Sequence, residues 1–283
     1  MRNKVLVFIL CLLFTLTITQ FANAGFSVFV QNDFLNWEES LPAGKVTETG
    51  NVWKGGIKVD YTFKSIDFTI FASLFGGRGN TNYEGYVSTV LSSSLMNNLN
   101  SCTLTVDRIY VQLSFGFKKG IYKRRNFKAG IKSVLESIAI SRDFSDYTIT
   151  TNDTWGNPVN IDIAGPWEVW KILNLKAGVY GSYYLSKNWT LIPELGINYP
   201  VKISVDISAS AYDFATGEIV NLEGTVKPDG KIGFYAGIGI NWLKKLNFSL
   251  TYDVKRIDWS KYYASQDVET TYKLLSVRLT YTF

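Results

Sequence analysis

The residues with chemistry to offer are charged side chains at alternate positions within otherwise apolar runs. They are Lys54, Lys58 and Asp60; Lys128 and Lys132; and the single residues Arg108, Lys176, Glu194, Asp253 and Arg278. Gathered on one inner surface, such groups either pass ions or protons or neutralise one another as salt bridges. The mixed signs, at positions otherwise filled by Gly, Ser and Thr, favour the second reading. The chain of 283 residues contains no histidine. That removes Ser-His-Asp and Cys-His hydrolysis, His-ligated zinc and the usual neutral-pH proton shuttle. Cys102 therefore has no imidazole to activate it. Gly76-Gly77-Arg78-Gly79 is followed by no helical pattern that would present its N-terminus to a phosphate, and reads as a loop turn. Lys123-Arg124-Arg125 reads as a solvated or headgroup-facing turn. No cofactor and no metal are expected.

Positioning these groups requires strands. Period-two alternation recurs along the chain, clearest in Phe234, Ala236, Ile238, Ile240 and Trp242 and in Ile109, Val111, Leu113, Phe115 and Phe117. Counting such runs gives ten strands, at about 25–35, 52–63, 66–76, 105–117, 127–138, 169–184, 189–209, 231–242, 247–256 and 269–283. The connections alternate strictly. Four are short (64–65, 118–126, 185–188 and 243–246), and five are long and polar (36–51, 77–104, 139–168, 210–230 and 257–268). The pattern is an up-and-down meander, with tight turns and both termini at one end and large loops at the other.

The chain begins with a basic Met1-Arg2-Asn3-Lys4, an apolar run from Val5 to Leu16, and Ala22-Asn23-Ala24. This is the pattern of a secretory signal peptide cleaved near Ala24, leaving 25–283 as one domain. Without Arg2 and Lys4, 27 basic and 24 acidic groups remain, a net charge of +3. That balance does not describe a nucleic-acid binder.

Alternation alone does not say which face meets water. A ten-stranded lumen has no room for every bulky side chain of the apolar face, so that face turns outward. Aromatics beside the short turns (Tyr61, Phe63, Phe117, Phe127, Tyr183, Tyr184, Trp189, Trp242, Phe248, Tyr281 and Phe283) form one interfacial girdle. The expected fold is all-β, a membrane-spanning up-and-down antiparallel barrel of ten strands, and closure satisfies every backbone donor and acceptor. The unbroken alternation from Leu191 to Ile207 is about twice the 9–11 residues a tilted strand needs to cross, so the barrel should rise above the outer leaflet. The terminal Leu279-Thr280-Tyr281-Thr282-Phe283 resembles the strand by which bacterial barrel-assembly machinery recognises outer-membrane proteins.

Trp53-Lys54-Gly55-Gly56-Ile57 through Phe75-Gly76-Gly77-Arg78-Gly79-Asn80, the stretch Leu175–Asp213 and the ending Tyr281-Thr282-Phe283 together resemble the omptins, ten-stranded outer-membrane endopeptidases. The resemblance implies an acidic pair in the second loop facing an Asp/His pair in the fourth. Carried across, the first falls near Asn82 and Glu84, and the second near Ala209 and Ala211, before Tyr212-Asp213. The general base is gone, so Glu84 and Asp213 could act only as an aspartic-type dyad held close together. Omptins also bind lipopolysaccharide, which makes Lys171, Lys255, Arg256, Lys261 and Lys273, at the loop ends of strands, candidate contacts to lipid phosphates. The leading functional reading is a non-proteolytic, omptin-like barrel whose long loops serve surface contact or envelope structure. Trp37, Tyr83, Tyr86, Tyr147, Trp155, Trp167, Trp259, Tyr262 and Tyr263 supply those loops with aromatics that would anchor a recognition surface or pack on one another. The alternatives are a narrow channel and a divergent endopeptidase.

Overall fold

The computed structural model describes residues 24–41, 44–86, 101–152, 158–213, 218–262 and 268–283. The expected leader therefore lies outside the described residues, except Ala24, which opens the first strand. The strands are β1 (Ala24–Leu41), β2 (Gly44–Phe63), β3 (Phe68–Tyr86), β4 (Ser101–Arg124), β5 (Phe127–Phe144), β6 (Tyr147–Asn152) and β7 (Pro158–Ile163). They continue with β8 (Trp167–Tyr184), β9 (Trp189–Asp213), β10 (Glu218–Val226), β11 (Asp229–Trp242), β12 (Leu246–Asp258) and β13 (Glu269–Thr282).

Ten of them close an antiparallel barrel in the order β1-β2-β3-β4-β5-β8-β9-β11-β12-β13. Its seam is the β1–β13 ladder, with Ser27 opposite Thr282 and Ser40 opposite Glu269. The remaining strands build upward from it: β10 pairs with the outer part of β9 from Asp213 to Val205, and β6 and β7 form a separate hairpin between β5 and β8. Much of what reads as long polar loop is therefore strand. The segment 36–51 continues β1 and β2 as far as the Leu41–Gly44 pair, and residues 118–124, expected in a short connection, extend β4 to a turn before Phe127.

The outward face sets the membrane level. On β4, Ile109, Val111, Leu113, Phe115 and Phe117 all point outward and are exposed. Residues 109–117, at roughly 3.4 Å per residue and tilted by about 40°, make a band about 23 Å tall, close to the ≈ 25 Å apolar belt of outer-membrane barrels. The tight-turn rim carries the expected girdle as touching rings: Tyr61–Phe63 at 4.7 Å, Phe68–Phe117 at 5.6 Å, Trp189–Trp242 at 6.2 Å and Tyr281–Phe283 at 5.1 Å. At the other edge of the band stand Trp53, Phe34, Tyr199, Tyr252 and Phe234, all exposed. Beyond them the outward residues turn polar: Asn51 and Thr49 on β2, Arg78 and Asn80 on β3, Asp107 on β4, Lys171 on β8.

In β9 the change of environment needs a change of face. Leu195, Ile197, Tyr199 and Val201 are 41–58% exposed, whereas Ile203 and Val205 are 2% and 0%. The cause is a bulge: Asn174 pairs with Pro200 and Leu173 with Lys202, leaving Val201 unpaired. Pro200 has no N–H to give the ladder, so the extra residue is accommodated there. An uninterrupted alternation in sequence thus faces lipid below the bulge and the interior above it.

The interior consequently has two compartments, which corrects the expectation of a polar lumen throughout. The half near the tight turns is lined by charges and hydroxyls. The outer half holds an apolar core of Leu35, Trp37, Ile138, Ile140, Trp170, Ile172, Ile203, Val205, Ile257 and Tyr272, each 4% exposed or less. A second cluster, Val46, Tyr83, Leu104, Val106 and Phe144, lies above it towards the hairpins.

Candidate functional site

The inner compartment is built from positions on all ten barrel strands. Lys54 (β2) pairs with Asp33 (β1), both almost fully buried, and its ammonium lies 3.1 Å from the Tyr110 ring centroid. Lys176 (β8) bridges two carboxylates, Asp253 Oδ2 at 2.7 Å and Glu136 Oε1 at 3.1 Å. The same Asp253 accepts from Lys255 Nζ at 2.6 Å and from Asn198 Nδ2 at 2.6 Å, while Asn174 Nδ2 donates to Glu136 at 2.9 Å. Lys132 Nζ meets Glu194 at 2.7 Å, and Lys58 meets Asp60 at 3.3 Å nearer the rim. Arg278 Nε donates to the neutral Gln31 Oε1 at 2.6 Å, its guanidinium 4.5 Å from the Phe29 ring. These groups, apart from Asn174 and Asn198, line a cavity of about 360 Å³.

The outer compartment contains a second polar knot inside its aromatic core. Glu48 (β2) receives Arg108 Nε on one oxygen and Arg142 Nη2 at 2.6 Å on the other, with Thr81 Oγ1 as a further donor. Arg142 Nη1 reaches Glu168 at 2.7 Å, which also accepts the Trp170 indole at 2.7 Å. The Arg142 guanidinium lies 4.7 Å from the Trp37 ring and 4.8 Å from that of Phe144. Trp37 stands edge-on to Trp170 at 4.7 Å and to Tyr272 at 5.1 Å, and Trp170 meets Trp259 at 5.6 Å. Burial alone would raise the Glu48 carboxyl, but the two guanidinium groups outweigh it and hold it at about 2. Glu39, bonded to the Trp37 indole at 2.6 Å, is instead pushed up by burial, against the pull of Arg142. Together these side chains plug the barrel.

The expected lumen charges separate between these places. Lys54, Lys58, Asp60, Lys132, Lys176, Glu194, Asp253 and Arg278 line the inner compartment, Arg108 belongs to the outer plug, and Lys128 pairs with Asp67 at 2.6 Å by a tight turn. Their partners Asp33, Glu48 and Glu136, and the further plug pair Arg142 and Glu168, are not singled out by the sequence pattern. Asp33 and Glu136 share parity with Gln31 and Lys132 and were findable. Glu48, Arg142 and Glu168 fall in segments that read as loops.

Of the rim cations, Lys255 is a correction: it is 2% exposed and bonded to Asp253 inside the barrel, because its parity on β12 is inward. Lys171, Arg256, Lys261 and Lys273 sit outside, paired with Asp206 (2.6 Å), Glu269 (2.5 Å), Asp229 (3.0 Å) and Glu38 (2.8 Å). Of the two dyad candidates, only Glu84 has a described side chain. Glu84 is exposed on β3, one residue after the inward-facing Tyr83, so its carboxylate points away from the interior. Asp213 ends β9 opposite Glu218, and its side chain lies outside the described residues. Among the loop aromatics, Trp37 and Tyr83 are buried and Trp259 packs on the core, while Trp167 and Tyr262 are exposed. Trp155, Tyr263 and the Tyr86 side chain lie outside the described residues. Among the described residues no cluster of three His, Cys, Asp or Glu is arranged to hold a metal.

Comparison with solved structures resolves the architecture. The outer membrane protease OmpT from Escherichia coli superposes with a TM-score of 0.56 at 12% identity, over 92% of this chain and 96% of that one. The fold is an omptin-like ten-stranded barrel. A major outer membrane protein from Thermus thermophilus (TM-score 0.44, 12% identity, 92% and 99% coverage) and the translocator domain of the autotransporter NalP from Neisseria meningitidis (0.43, 10%, 92% and 88%) are more distant. No protein-family model and no curated protein matches the sequence. A fold similar to that of OmpT is thus carried by a sequence that contains no histidine and whose outer interior is filled by an arginine–tryptophan plug.

Proposed function

We propose that the protein resides in a bacterial outer membrane as an omptin-like barrel that does not cut peptides, and that its raised outer strands serve surface contact or envelope structure. The observation that carries this reading is the plug. Trp37, Trp170 and Tyr272, with Arg108 and Arg142 held by Glu48, occupy the barrel centre at the level where a substrate cleft or a pore would have to open. A protease needs an activated water between facing acid and base groups, and here each buried carboxylate of the plug holds a guanidinium or an indole. A narrow channel is disfavoured by the same residues. In this reading Lys171, Arg256, Lys261 and Lys273 meet lipid phosphates at the outer leaflet. Their present carboxylate pairs, being exposed, are worth only about 0–1 kcal/mol each and exchange readily. The C-terminal strand ending in Phe283 is the signal to the assembly machinery.

The test is direct. Purified, folded protein in micelles containing lipopolysaccharide is incubated with a random peptide library. No cleavage is expected. Cleavage that disappears in Glu84→Ala or Asp213→Ala would establish the protease reading instead.

A further inference from the structure

We propose that the inner cavity is a binding site, open at the tight-turn end, for a compact oxyanion of the phosphate class, with Lys118 and Arg278 as its charge donors. Exposure fixes the direction of access. The side chains of Lys58 and Asp60, near the turns, are 33% and 24% exposed, whereas those of Lys54 and Asp33, deeper in, are 2% and 0%. The cavity is therefore blind, closed above by the plug and entered from the end that carries the termini.

The charge count of its wall gives the ligand. Seven cations line it (Lys54, Lys58, Lys118, Lys132, Lys176, Lys255 and Arg278) against five carboxylates (Asp33, Asp60, Glu136, Glu194 and Asp253). Every one of the five carboxylates has a cation within salt-bridge distance, and five of the cations are engaged in those pairs. The surplus of two falls on identifiable residues. Among the described residues, neither Lys118 nor Arg278 has a carboxylate within 4.0 Å. Lys118 lies 5.3 Å from the Tyr180 ring centroid, and Arg278 leans on Phe29 and Gln31. The charges acting on Lys118 are of both signs, Lys132 and Lys58 against Glu194 and Asp60, and each of those two carboxylates is already paired with one of those two lysines.

Two cations without a carboxylate in salt-bridge contact are costly inside a low-dielectric barrel wall, and a counter-ion relieves that cost. The wall also supplies hydroxyl donors suited to an oxyanion, among them Ser73, Ser114, Ser249, Thr251 and Ser276. A volume of about 360 Å³ admits inorganic phosphate or a small phosphate monoester. It does not admit a folded partner or a long chain.

The experiment titrates the folded full-length protein in zwitterionic detergent at low ionic strength with inorganic phosphate, and in parallel with glycerol phosphate, by calorimetry and phosphorus NMR. Saturable binding near one equivalent is expected for at least one of the two, and the tighter one identifies the source of the phosphate. Lys118→Met and Arg278→Gln should each weaken it at least tenfold, and Lys64→Gln, on the turn outside the cavity, should leave it unchanged. Heat-dependent gel mobility checks that each variant is folded. If Arg278→Gln fails that check because Arg278 also packs on Phe29, Lys118→Met alone decides. Absence of saturable binding to both ligands, or equal weakening by Lys64→Gln, would overturn the proposal.

Discussion

Glu48→Gln tests the plug at its most sensitive point. Glu48 is 0% exposed and holds Arg108 and Arg142 on its two oxygens. Replacing it leaves Arg142 with Glu168 and Glu39, but Arg108 loses its carboxylate. Breaking a buried pair while leaving one charge behind costs about 3–5 kcal/mol. The carboxyl itself gives a second measure. It is held down from 4.5 to about 2, and at about 1.4 kcal/mol per pH unit that difference corresponds to roughly 3 kcal/mol. The two routes agree. Because the folded-state value is depressed, this stabilisation is present above pH 4.5 and is lost as pH falls from 4.5 towards 2. Urea unfolding in micelles, followed by tryptophan fluorescence at pH 7 and through that acid window, should show the variant less stable by about 3–5 kcal/mol at neutral pH. Its acid slope should also be shallower than that of the parent. Adding Arg108→Gln to the variant should recover part of the loss, since the orphaned cation goes with it. A loss below about 1 kcal/mol with an unchanged acid profile would mean that Arg108 is hydrated and the barrel is not closed there.

Other consequences can be checked on the same preparation. Trp37→Ala removes the ring at the centre of the plug and should cost about 3–5 kcal/mol in the same unfolding assay, with a value near zero excluding a packed core. Leu113→Arg, in the middle of the apolar band, should cost about 2–4 kcal/mol. Thr105→Arg, on the same outward face of β4 but beyond the band, should stay within about 0.5 kcal/mol. Equal effects would displace the membrane level assigned here. Deleting Val201 removes the unpaired residue and makes Asn174–Pro200 and Leu173–Lys202 consecutive pairs, so Ile203 and Val205 keep their inward face and the heat-modifiable folded species should persist on gels; its loss would refute the bulge as the cause of the change of face in β9.

What the sequence reveals and what it hides follow from physical rules of different range. The ten barrel strands are legible because lipid on one side and a small-residue lumen on the other impose strict alternation. The runs Ile109–Phe117 and Phe234–Trp242 show it without interruption. The tight-turn girdle and the meeting of both termini follow from the same pattern. The two-compartment interior is not legible, because alternation reports period and not direction. Ile203 and Val205 continue the series of Leu195 and Ile197 in sequence but face the opposite way, and only the unpaired Val201 beside Pro200 explains it. The plug is hidden for a related reason. Trp37, Glu48, Arg142 and Glu168 lie where outward residues are polar and inward ones apolar, an inversion that reads as loop. Lys255 shows the limit of reading a rim from loop ends: one step along β12 separates it from the exposed Arg256, and that step decides between lumen and lipid.

The central claim, an outer-membrane barrel sealed across its outer half, is tested most directly by single-channel recording in planar bilayers. The parent protein should insert without producing reproducible conductance steps, whereas Trp37→Ala combined with Trp170→Ala should produce them. Regular steps from the parent protein would contradict the account and establish a channel.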